Sequence, residues 1–432
     1  MRFGVNYTPS DGWFHFWLDP HWDSVERDLA QIADLGMDHV RIFPLWPVLQ
    51  PNRTWINRKG LEDVRRMVRI AGEHGLDATV DVLQGHLSSF DFVPSWLVSW
   101  HETSMFADPD AVAAQAKLVE ALYDALEDEP NFKGLTLGNE CNQFTDRTHP
   151  RRMPATTEQI GDWLTTLTDT VRQRAHESGR ILVHSENDAV WYADGHAFVP
   201  RQAANIGDMS VIHSWVFNGT AQHYGGMSEQ SVRHGQYLVE LAHAFASDPS
   251  RQVWLQEIGA PGNVIDPEDT VAFCTRAVES ALECPGLYGI TWWCSHDVNH
   301  AMGDFPPFEH DLGLFDEHGE LKPIGREFGR LAAEHRDDEP AVRQDGVAVV
   351  VPVDEAGDPT LRGACSPGGS IFDAWMDLAA AGRRPAIVTS ATADDPTALA
   401  ARGISETIAP EPKAGRAYSA VSDPSLEAAM AQ

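Results

Sequence analysis

Two glutamates have the residue type and the neighbours that acid–base chemistry on a sugar requires. Glu140 follows Asn139 in the segment GLTLGNE, and Glu257 lies in the segment VWLQEIG. Hydrolysis of a glycosidic bond uses two carboxyl groups, one that protonates the departing oxygen and one that attacks the sugar or activates water. The two glutamates lie in separate parts of the chain, so only the fold can bring them together.

The first 337 residues alternate short β-branched runs with amphipathic helical segments. The predicted strands are 2–6, 38–43, 77–83, 133–138, 180–184, 209–213, 252–256 and 286–294. The predicted helices are 24–35, 61–71, 110–127, 156–178, 228–246, 267–283 and 323–334. This rhythm predicts an α/β fold, a (β/α)8 TIM barrel. A doubly wound open sheet is the alternative, but no G-x-G-x-x-G motif follows the first strand.

The carboxyl ends of the barrel strands are where catalytic groups lie in this architecture. Asn139 and Glu140 end the fourth predicted strand and Glu257 ends the seventh. Because these strands face each other across the ring, their carboxyl groups can meet over its mouth. The other strand ends supply the candidate substrate-binding residues Arg41, Trp46, His86, Asn139, His213, Trp215, Trp292 and Trp293.

Together these residues resemble the clan A glycoside hydrolases, and family 5 most closely. The resemblance rests on Asn139-Glu140 and on Glu257-Ile258-Gly259, with support from Arg41, from the His213-x-Trp215 turn and from the tryptophan of the eighth strand. It covers residues 1–335. The chain departs from the family pattern at Cys141, where proline is usual, and at Trp215, where tyrosine is common.

The resemblance implies a role for each residue of the pair and its neighbours. Glu140 would be the general acid/base and Glu257 the nucleophile of a retaining double displacement. Asn139 would bind the sugar 2-hydroxyl, Arg41 would keep Glu257 ionised, and Trp293 would form the platform under the sugar. Glu140 would have to hold a proton near neutral pH, which requires a negatively charged side chain nearby or an apolar environment.

Within family 5 the chain resembles the actinobacterial subfamily 18. That resemblance implies an exo-acting β-mannosidase that acts on short oligosaccharides such as mannosyl-β-1,4-N-acetylglucosamine. An endo-β-mannanase or β-glucanase, a β-galactosidase and a non-catalytic sugar-binding barrel are alternatives. The histidines at strand ends, His86, His184 and His213, leave a metal-dependent hydrolase as a further alternative, although we expect neither a metal nor an organic cofactor.

Composition limits the classes of partner. The 432 residues include 64 acidic and 32 basic side chains, a formal charge of −32, which disfavours nucleic acid and anionic membrane surfaces. The sequence has no apolar run long enough for a membrane helix and no visible secretory signal, so we expect a cytoplasmic protein. Its 5 cysteines include no C-x-x-C pair, which argues against a disulfide framework or a zinc ribbon. Such a protein would meet small oligosaccharides, because polysaccharides do not cross membranes.

The distribution of aromatic residues predicts two domains. All 19 histidines and all but one of the 14 tryptophans precede residue 337. We therefore predict a catalytic barrel over 1–337 and a small C-terminal α/β domain of unknown role over 338–432. Subunit assembly through this segment, and so a homo-oligomer, is a hypothesis. The cluster Trp13, Phe14, Phe16, Trp17 and Trp22 is predicted to wall a sugar subsite.

Overall fold

The computed structural model describes residues 1–101, 103–343 and 346–415. The strands in its first part are β1 (Arg2–Asn6), β2 (His39–Ile42), β3 (Asp77–Asp81), β4 (His86–Leu87), β5 (Phe90–Asp91), β6 (Phe132–Asn139), β7 (Ile181–Ser185), β8 (Ser210–Ser214), β9 (Val253–Ile258) and β10 (Leu287–Trp292). Apart from the β4–β5 hairpin they form one parallel sheet in the order β7-β6-β3-β2-β1-β10-β9-β8. Since β7 and β8 lie side by side, the sheet is a nearly closed ring, and the predicted TIM barrel is confirmed.

Helices follow the strands, and the longer ones pack against the ring. They are α1 (Trp22–Asp34), α2 (Trp46–Leu49), α3 (Arg58–Glu73), α4 (Pro109–Leu126), α5 (Thr157–Asp169), α6 (Arg172–Glu177), α7 (Ala189–Tyr192), α8 (Pro200–Ala203), α9 (Thr220–Tyr224), α10 (Glu229–Val232), α11 (His234–Phe245), α12 (Thr270–Leu282) and α13 (Pro323–His335). The helix predicted over 156–178 divides at Val171, where φ is −130°. The helix predicted over 228–246 divides at Arg233. The sequence did not predict these breaks, because hydrophobic periodicity does not reveal a single non-helical residue.

The chain after the barrel forms a small parallel sheet with two helices. Its elements are β11 (Gly346–Val351), α14 (Ser370–Ala380), β12 (Ala386–Thr389), α15 (Pro396–Ala401) and β13 (Ile404–Ile408), with the strands in the order β12-β11-β13. Tyr237 of α11 donates a hydrogen bond to the Cys365 carbonyl at 2.7 Å and packs edge-on against Trp375. The predicted α/β character is present, and the division into two domains at 337/338 stays a prediction.

None of the helices in the described ranges is both long enough and apolar enough to cross a bilayer.

Candidate active site

Glu140 and Glu257 meet at the carboxyl end of the barrel. Each offers a carboxylate oxygen that lies within 4.8 Å of the other and of a ring nitrogen of His213. Both line one cavity, whose wall consists of His86, Leu87, Ser88, Ser89, Asn139, Glu140, Gln143, Asn187, Trp215, Phe217, Asn218, Glu257, Trp293, Phe308 and Glu309. The spacing fits the short separation of carboxyl groups in retaining glycosidases, about 5–5.5 Å, and leaves less room than inverting enzymes need for a water molecule.

Glu140 stands where β6 ends and a short 3-10 helix, Cys141–Thr145, begins. Its backbone has φ 45°, in the left-handed region that L residues rarely adopt, and such conformations concentrate at functional sites. One carboxylate oxygen is 2.8 Å from Nδ1 of His213, and the other accepts a hydrogen bond from Gln143 Nε2 at 2.6 Å. The carboxyl group is thus fixed at both oxygens and still faces the cavity.

Glu257 lies in β9 with each oxygen held by a different donor. Arg41 Nη1 donates to Oε1 at 2.8 Å, and Trp215 Nε1 donates to Oε2 at 3.1 Å. Gly259 follows two positions later, and a Cβ there would meet the Trp293 carbonyl at 2.9 Å and the Trp215 ring at 3.0 Å. The glycine of the Glu-x-Gly motif therefore allows both tryptophans to approach the nucleophile candidate.

Arg41 is a fully buried cation beneath the cavity and does not line it. Its guanidinium donates to both oxygens of Asp81, at 2.9 and 2.7 Å, and to Asn139 Oδ1 at 2.6 Å, as well as to Glu257. Burial alone would lower the pKa of Arg41, but Asp81 and Glu257 outweigh burial and the pKa is raised. Arg41 is therefore permanently charged, and from the second barrel strand it orients residues of the third, fourth and seventh strands at once.

His213 lies between the two glutamates and is also completely buried. Its Nδ1 is 3.4 Å from Glu257 Oε2 as well as 2.8 Å from Glu140, and its Nε2 is 3.3 Å from Gln256 Oε1. Burial would lower the pKa of His213, but the charges of Glu257 and Glu140 outweigh it, so the pKa is raised. Since oxygen acceptors face both ring nitrogens, the imidazole is arranged to carry two protons.

The two carboxyl groups and His213 lie close enough for each to affect the pKa of the others. Burial would raise the pKa of Glu140, but the hydrogen bond and charge of His213 lower it below its ordinary value. Burial raises the pKa of Glu257 against the opposing charges of His213 and Arg41. The direction at Glu140 differs from the raised pKa expected from the sequence, because a cation rather than an apolar wall lies next to this carboxyl group.

His86 reaches the cavity from the β4–β5 hairpin. Its Nδ1 is 3.2 Å from Asp91 Oδ1, and His149 Nε2 is 3.3 Å from the same oxygen. Burial would raise the pKa of Asp91, but these two histidines outweigh it and hold the pKa well below its usual range. Asn139 Nδ2 donates to the His86 carbonyl at 2.6 Å, which ties the hairpin to the end of β6.

Among the described residues, two groups of side chains have the spacing that a metal ion could accept. They are His86, Asp91 and His149, and Glu140, His213 and Glu257. Ion pairs and hydrogen bonds within each group already account for both arrangements. The third histidine of the metal-dependent alternative, His184, is not brought to them, because its Nδ1 is paired with Glu186 at 2.6 Å and its Nε2 faces the Ile206 carbonyl.

The predicted aromatic contacts divide between cavity and core. Trp215 and Trp293 line the cavity. Trp292 is fully buried on the other side of β10, donates to the Leu312 carbonyl and packs on Phe328. Its side chain therefore does not line the cavity, against its prediction as a substrate-binding residue, because Trp292 ends β10 with its ring in the core and Trp293 is the first residue beyond the strand.

Trp46, also predicted to bind substrate, does not line the cavity either. It starts the short helix α2, is completely buried, and donates from Nε1 to Gln50 Oε1 at 3.0 Å. Its ring packs edge-on against Trp96. The position beyond the second strand suggested the rim, but the chain turns into a helix there and buries the ring.

The aromatic residues after β1 form part of the core and do not line the cavity, which corrects the predicted subsite wall. Trp13, Phe14, Phe16 and Trp17 are buried, and Trp22 is half-buried. Trp13 and Phe14 pack around the Trp293 ring, each with centroids 6.4 Å away. The cluster therefore supports the platform from behind.

Several cavity residues carried no signal in the sequence that we recognised. They are Leu87, Ser88, Ser89, Gln143, Asn187, Phe217, Asn218, Phe308 and Glu309. Gln143 could have been found, since it lies three residues after Glu140, whereas Glu309 belongs to a long connection after the last barrel strand. Asp81 at the end of β3 was also missed, although an acid at a strand end opposite Arg41 was a detectable signal.

Comparison with known proteins gives a consistent result. No protein-family model matches the chain, and no curated protein matches it. Among solved structures, the chain is 60% identical to a GH5_18 from Bifidobacterium longum subsp. infantis, with a TM-score of 0.95 over 98% of this chain and 99% of that chain. A Glu-to-Ala variant of the GH5_18 from Bifidobacterium longum subsp. longum ATCC 55813, in complex with Manβ1-4GlcNAc, is 60% identical, with a TM-score of 0.95 over 98% and 100%. The GH5_18 from Streptomyces cattleya, in complex with GlcNAc, is 49% identical, with a TM-score of 0.91 over 94% and 98%.

Proposed function

The chain belongs to subfamily 18 of glycoside hydrolase family 5, and we propose that it is a retaining glycosidase that releases a terminal β-mannosyl residue from short oligosaccharides such as Manβ1-4GlcNAc. The observation that carries the proposal is the pair Glu140 and Glu257, with carboxylate oxygens within 4.8 Å of each other in one cavity. The relative from Bifidobacterium longum subsp. longum supports the choice of sugar, because its Glu-to-Ala variant was solved with Manβ1-4GlcNAc.

In the first step, Glu257 attacks the anomeric carbon of the terminal mannose. Arg41 and Trp215 hold its two oxygens, so the attacking carboxylate is oriented before the substrate arrives. Burial and the charge of Glu140 raise its pKa, and the cations Arg41 and His213 oppose that rise and favour the ionised form. The products of this step are a covalent mannosyl-enzyme and a departing sugar.

Glu140 delivers the proton that the departing oxygen needs. The hydrogen bond of 2.8 Å to His213 makes these two groups a store for one proton, which Glu140 gives up when negative charge develops on the leaving oxygen. In the second step Glu140 accepts a proton from water, which attacks the anomeric carbon and frees Glu257. Retention of the β configuration follows from the two displacements.

Asn139 and Trp293 complete the site for the terminal sugar. Asn139 Oδ1 accepts from Arg41 and one N–H bonds the His86 carbonyl, and we assign its second N–H to the 2-hydroxyl. Trp293, held from behind by Trp13, offers its ring to the sugar face. The leaving sugar would lie on the Glu140 side, near Gln143.

Action on the end of a chain is supported by how the cavity is covered. The loop after β10 contacts the β4–β5 hairpin through Phe305 and Phe90, with ring centroids 4.8 Å apart. The same loop contacts the segment after β8 through Phe308 and Phe217, at 5.3 Å. Such a cover leaves room for a terminal sugar and obstructs a polymer that must pass through, as an endo-β-mannanase or β-glucanase requires.

A panel of nitrophenyl β-mannoside, β-glucoside and β-galactoside tests the sugar, and Manβ1-4GlcNAc against polymeric mannan tests the mode of action. We expect turnover of the mannoside, release of mannose and GlcNAc from the disaccharide, and no internal cleavage of the polymer. Preference for the galactoside or glucoside, or rapid loss of mannan viscosity, would contradict the proposal in favour of the corresponding alternative. An inert protein that still binds Manβ1-4GlcNAc would support the sugar-binding barrel.

We keep three further expectations as proposals. A cytoplasmic location suits a substrate of small oligosaccharides, and the five cysteines are all free and buried thiols. A homo-oligomer could use the segment after the barrel, and light scattering of the purified protein tests it. A chain that ends at residue 337 tests the two-domain division. Because Tyr237 of α11 bonds the Cys365 carbonyl, we expect removal of the later residues to destabilise α11.

A further inference from the structure

Glu309 is a third glutamate in the cavity, and the mechanism above does not use it. It lies in the 3-10 helix Pro307–Asp311 after β10 and is only 6% exposed. Its Oε2 is buried and has no hydrogen-bond partner among the residues that the structure describes. A buried acceptor without a partner is costly, so a carboxyl group that lines a binding cavity in this condition indicates a contact for a ligand.

Ser88 presents a second unsatisfied group to the same cavity. Its Oγ is buried without a well-formed hydrogen bond to any described residue, and it lies near enough to Glu309 to lower the pKa of that carboxyl group. It lies at the tip of the β4–β5 hairpin, where Ser88 and Ser89 have φ of 48° and 70°. Non-glycine residues seldom adopt this left-handed conformation, and surrounding structure must hold them there.

Contacts on both sides hold the hairpin tip in place. His86 and Asp91 pair across the base of the hairpin, and Phe90 packs against Phe305 of the loop that carries Glu309. The loops of Ser88 and Glu309 are therefore fixed against each other over the cavity. Their unsatisfied oxygens belong to the two loops that cover the cavity, whereas Asn139 lies at the end of a barrel strand and Trp293 directly follows one.

We propose that Glu309 and Ser88 form a hydrogen-bonding pair that recognises hydroxyl groups of the terminal sugar on the side that faces the cover. This inference rests on the proposed function and extends it, because it assigns the recognition of hydroxyls other than the 2-hydroxyl. The pair offers Oε2 of Glu309 and Oγ of Ser88, and both are groups that bond to sugar hydroxyls.

The protonation of Glu309 supports this chemistry. Burial raises its pKa to about 7, Ser88 and His86 lower it, and the charges of Glu257 and Glu140 add to the rise. Near neutral pH a substantial fraction of Glu309 is therefore a neutral acid, which can donate one hydrogen bond and accept others. A neutral acid also avoids a third negative charge beside the catalytic pair.

Deoxy sugars test the pair directly. The substrates are the nitrophenyl glycoside that the unaltered enzyme hydrolyses and its 3-, 4- and 6-deoxy derivatives. The test therefore does not depend on the sugar being mannose. Values of kcat/KM are compared for the unaltered enzyme, Glu309→Ala, Glu309→Gln and Ser88→Ala. Asp304→Asn, an exposed acid in the same loop, is the matched control, and circular dichroism confirms that each variant folds.

We expect Glu309→Ala to lower kcat/KM for the parent glycoside by about 10- to 100-fold, as lost hydrogen bonds of this kind do. For at least one deoxy sugar the same substitution should cost nothing further, because the hydroxyl that it bonds is already missing. Ser88→Ala should likewise lower kcat/KM for the parent glycoside but not for the sugar that lacks the hydroxyl at the same or a neighbouring ring position. Asp304→Asn should lower kcat/KM for none of the substrates. Equal losses on the parent and on all three deoxy sugars would overturn the proposal and leave Glu309 with a structural role. A preference for a sugar other than mannose counts only against the proposed function.

Discussion

Nδ1 of His213 lies 2.8 Å from the Glu140 carboxylate, and this contact determines how the acid/base carries its proton. An isolated buried glutamate would hold the proton itself. Here His213 stabilises the ionised carboxylate and lowers its pKa, so the proton of the free site resides on the pair. The general acid is then the hydrogen-bonded pair, and Glu140 is the member that reaches the substrate.

Glu257→Ala should abolish turnover while the fold is kept. Loss of the nucleophile removes the covalent step, and we expect kcat to fall on the order of 10⁴-fold or more. Circular dichroism and the thermal midpoint serve as the control for folding. Residual activity of a few per cent would refute the assignment of Glu257.

Glu140→Ala should separate substrates by their leaving groups. A dinitrophenyl β-mannoside needs no protonation in the first step and should retain that step, whereas Manβ1-4GlcNAc should lose almost all turnover. Azide should then react with the mannosyl-enzyme and give β-mannosyl azide. Equal losses on both substrates, with no rescue by azide, would contradict the acid/base assignment.

Arg41→Met should change both stability and pH dependence. Removing the cation leaves Asp81 and Glu257 as buried acids without their main partner, so we expect a loss of about 3–5 kcal/mol in the free energy of unfolding. The pKa of Glu257 should rise further, because an opposing positive charge is gone. The acid limb of the kcat/KM profile should accordingly move to higher pH. An unshifted acid limb in a folded variant would argue that Arg41 does not control the ionisation of Glu257.

Glu309 should make the protein less stable as the pH rises. The pKa of Glu309 is raised from 4.5 to about 7 in the folded state. Between pH 4.5 and 7 the folded protein therefore keeps a proton on Glu309 that the unfolded chain loses, and the free energy of unfolding falls as the pH rises through this range. The shift corresponds to about 3 kcal/mol. Urea unfolding should therefore show that Glu309→Gln is more stable than the unaltered enzyme at pH 8 by about this amount, and little different at pH 4.5.

The control for this comparison is Asp304→Asn, which removes an exposed acid from the same loop. The groups that face Glu309, namely Ser88, His86, Glu140 and Glu257, are common to all three proteins, so the comparison isolates the titration of Glu309 together with its effect on these neighbours. A Glu309→Gln curve parallel to that of the unaltered enzyme would show that Glu309 titrates normally.

The sequence was informative where a regular element fixes the direction of a side chain. The barrel strands follow from apolar runs, and their carboxyl ends placed Asn139, Glu140 and Glu257 together because parallel strands end at one face. Trp292 and Trp293 show the limit of such reasoning. Adjacent residues at the end of a strand point in different directions, and the sequence alone does not state which of the two tryptophans lines the cavity.

Loops were less predictable than strands. The identity of Trp46 suggested a sugar contact, but the chain forms α2 at that point and buries the ring against Trp96. Glu309 reaches the cavity only because Phe305 and Phe308 pack the loop across it. Such long-range packing has no periodic signature, so these residues could be found only from the structure.

The stereochemistry of the first product tests the central claim most directly. Proton NMR of the anomeric signals, recorded within the first minutes of hydrolysis of nitrophenyl β-mannoside, distinguishes the two anomers before they interconvert. With Glu140 and Glu257 separated by less than 4.8 Å at their nearest facing oxygens, we predict that β-mannose appears first and the α anomer only later, by mutarotation. Initial release of α-mannose would mean direct attack by water, and would contradict the account of Glu257 as a nucleophile.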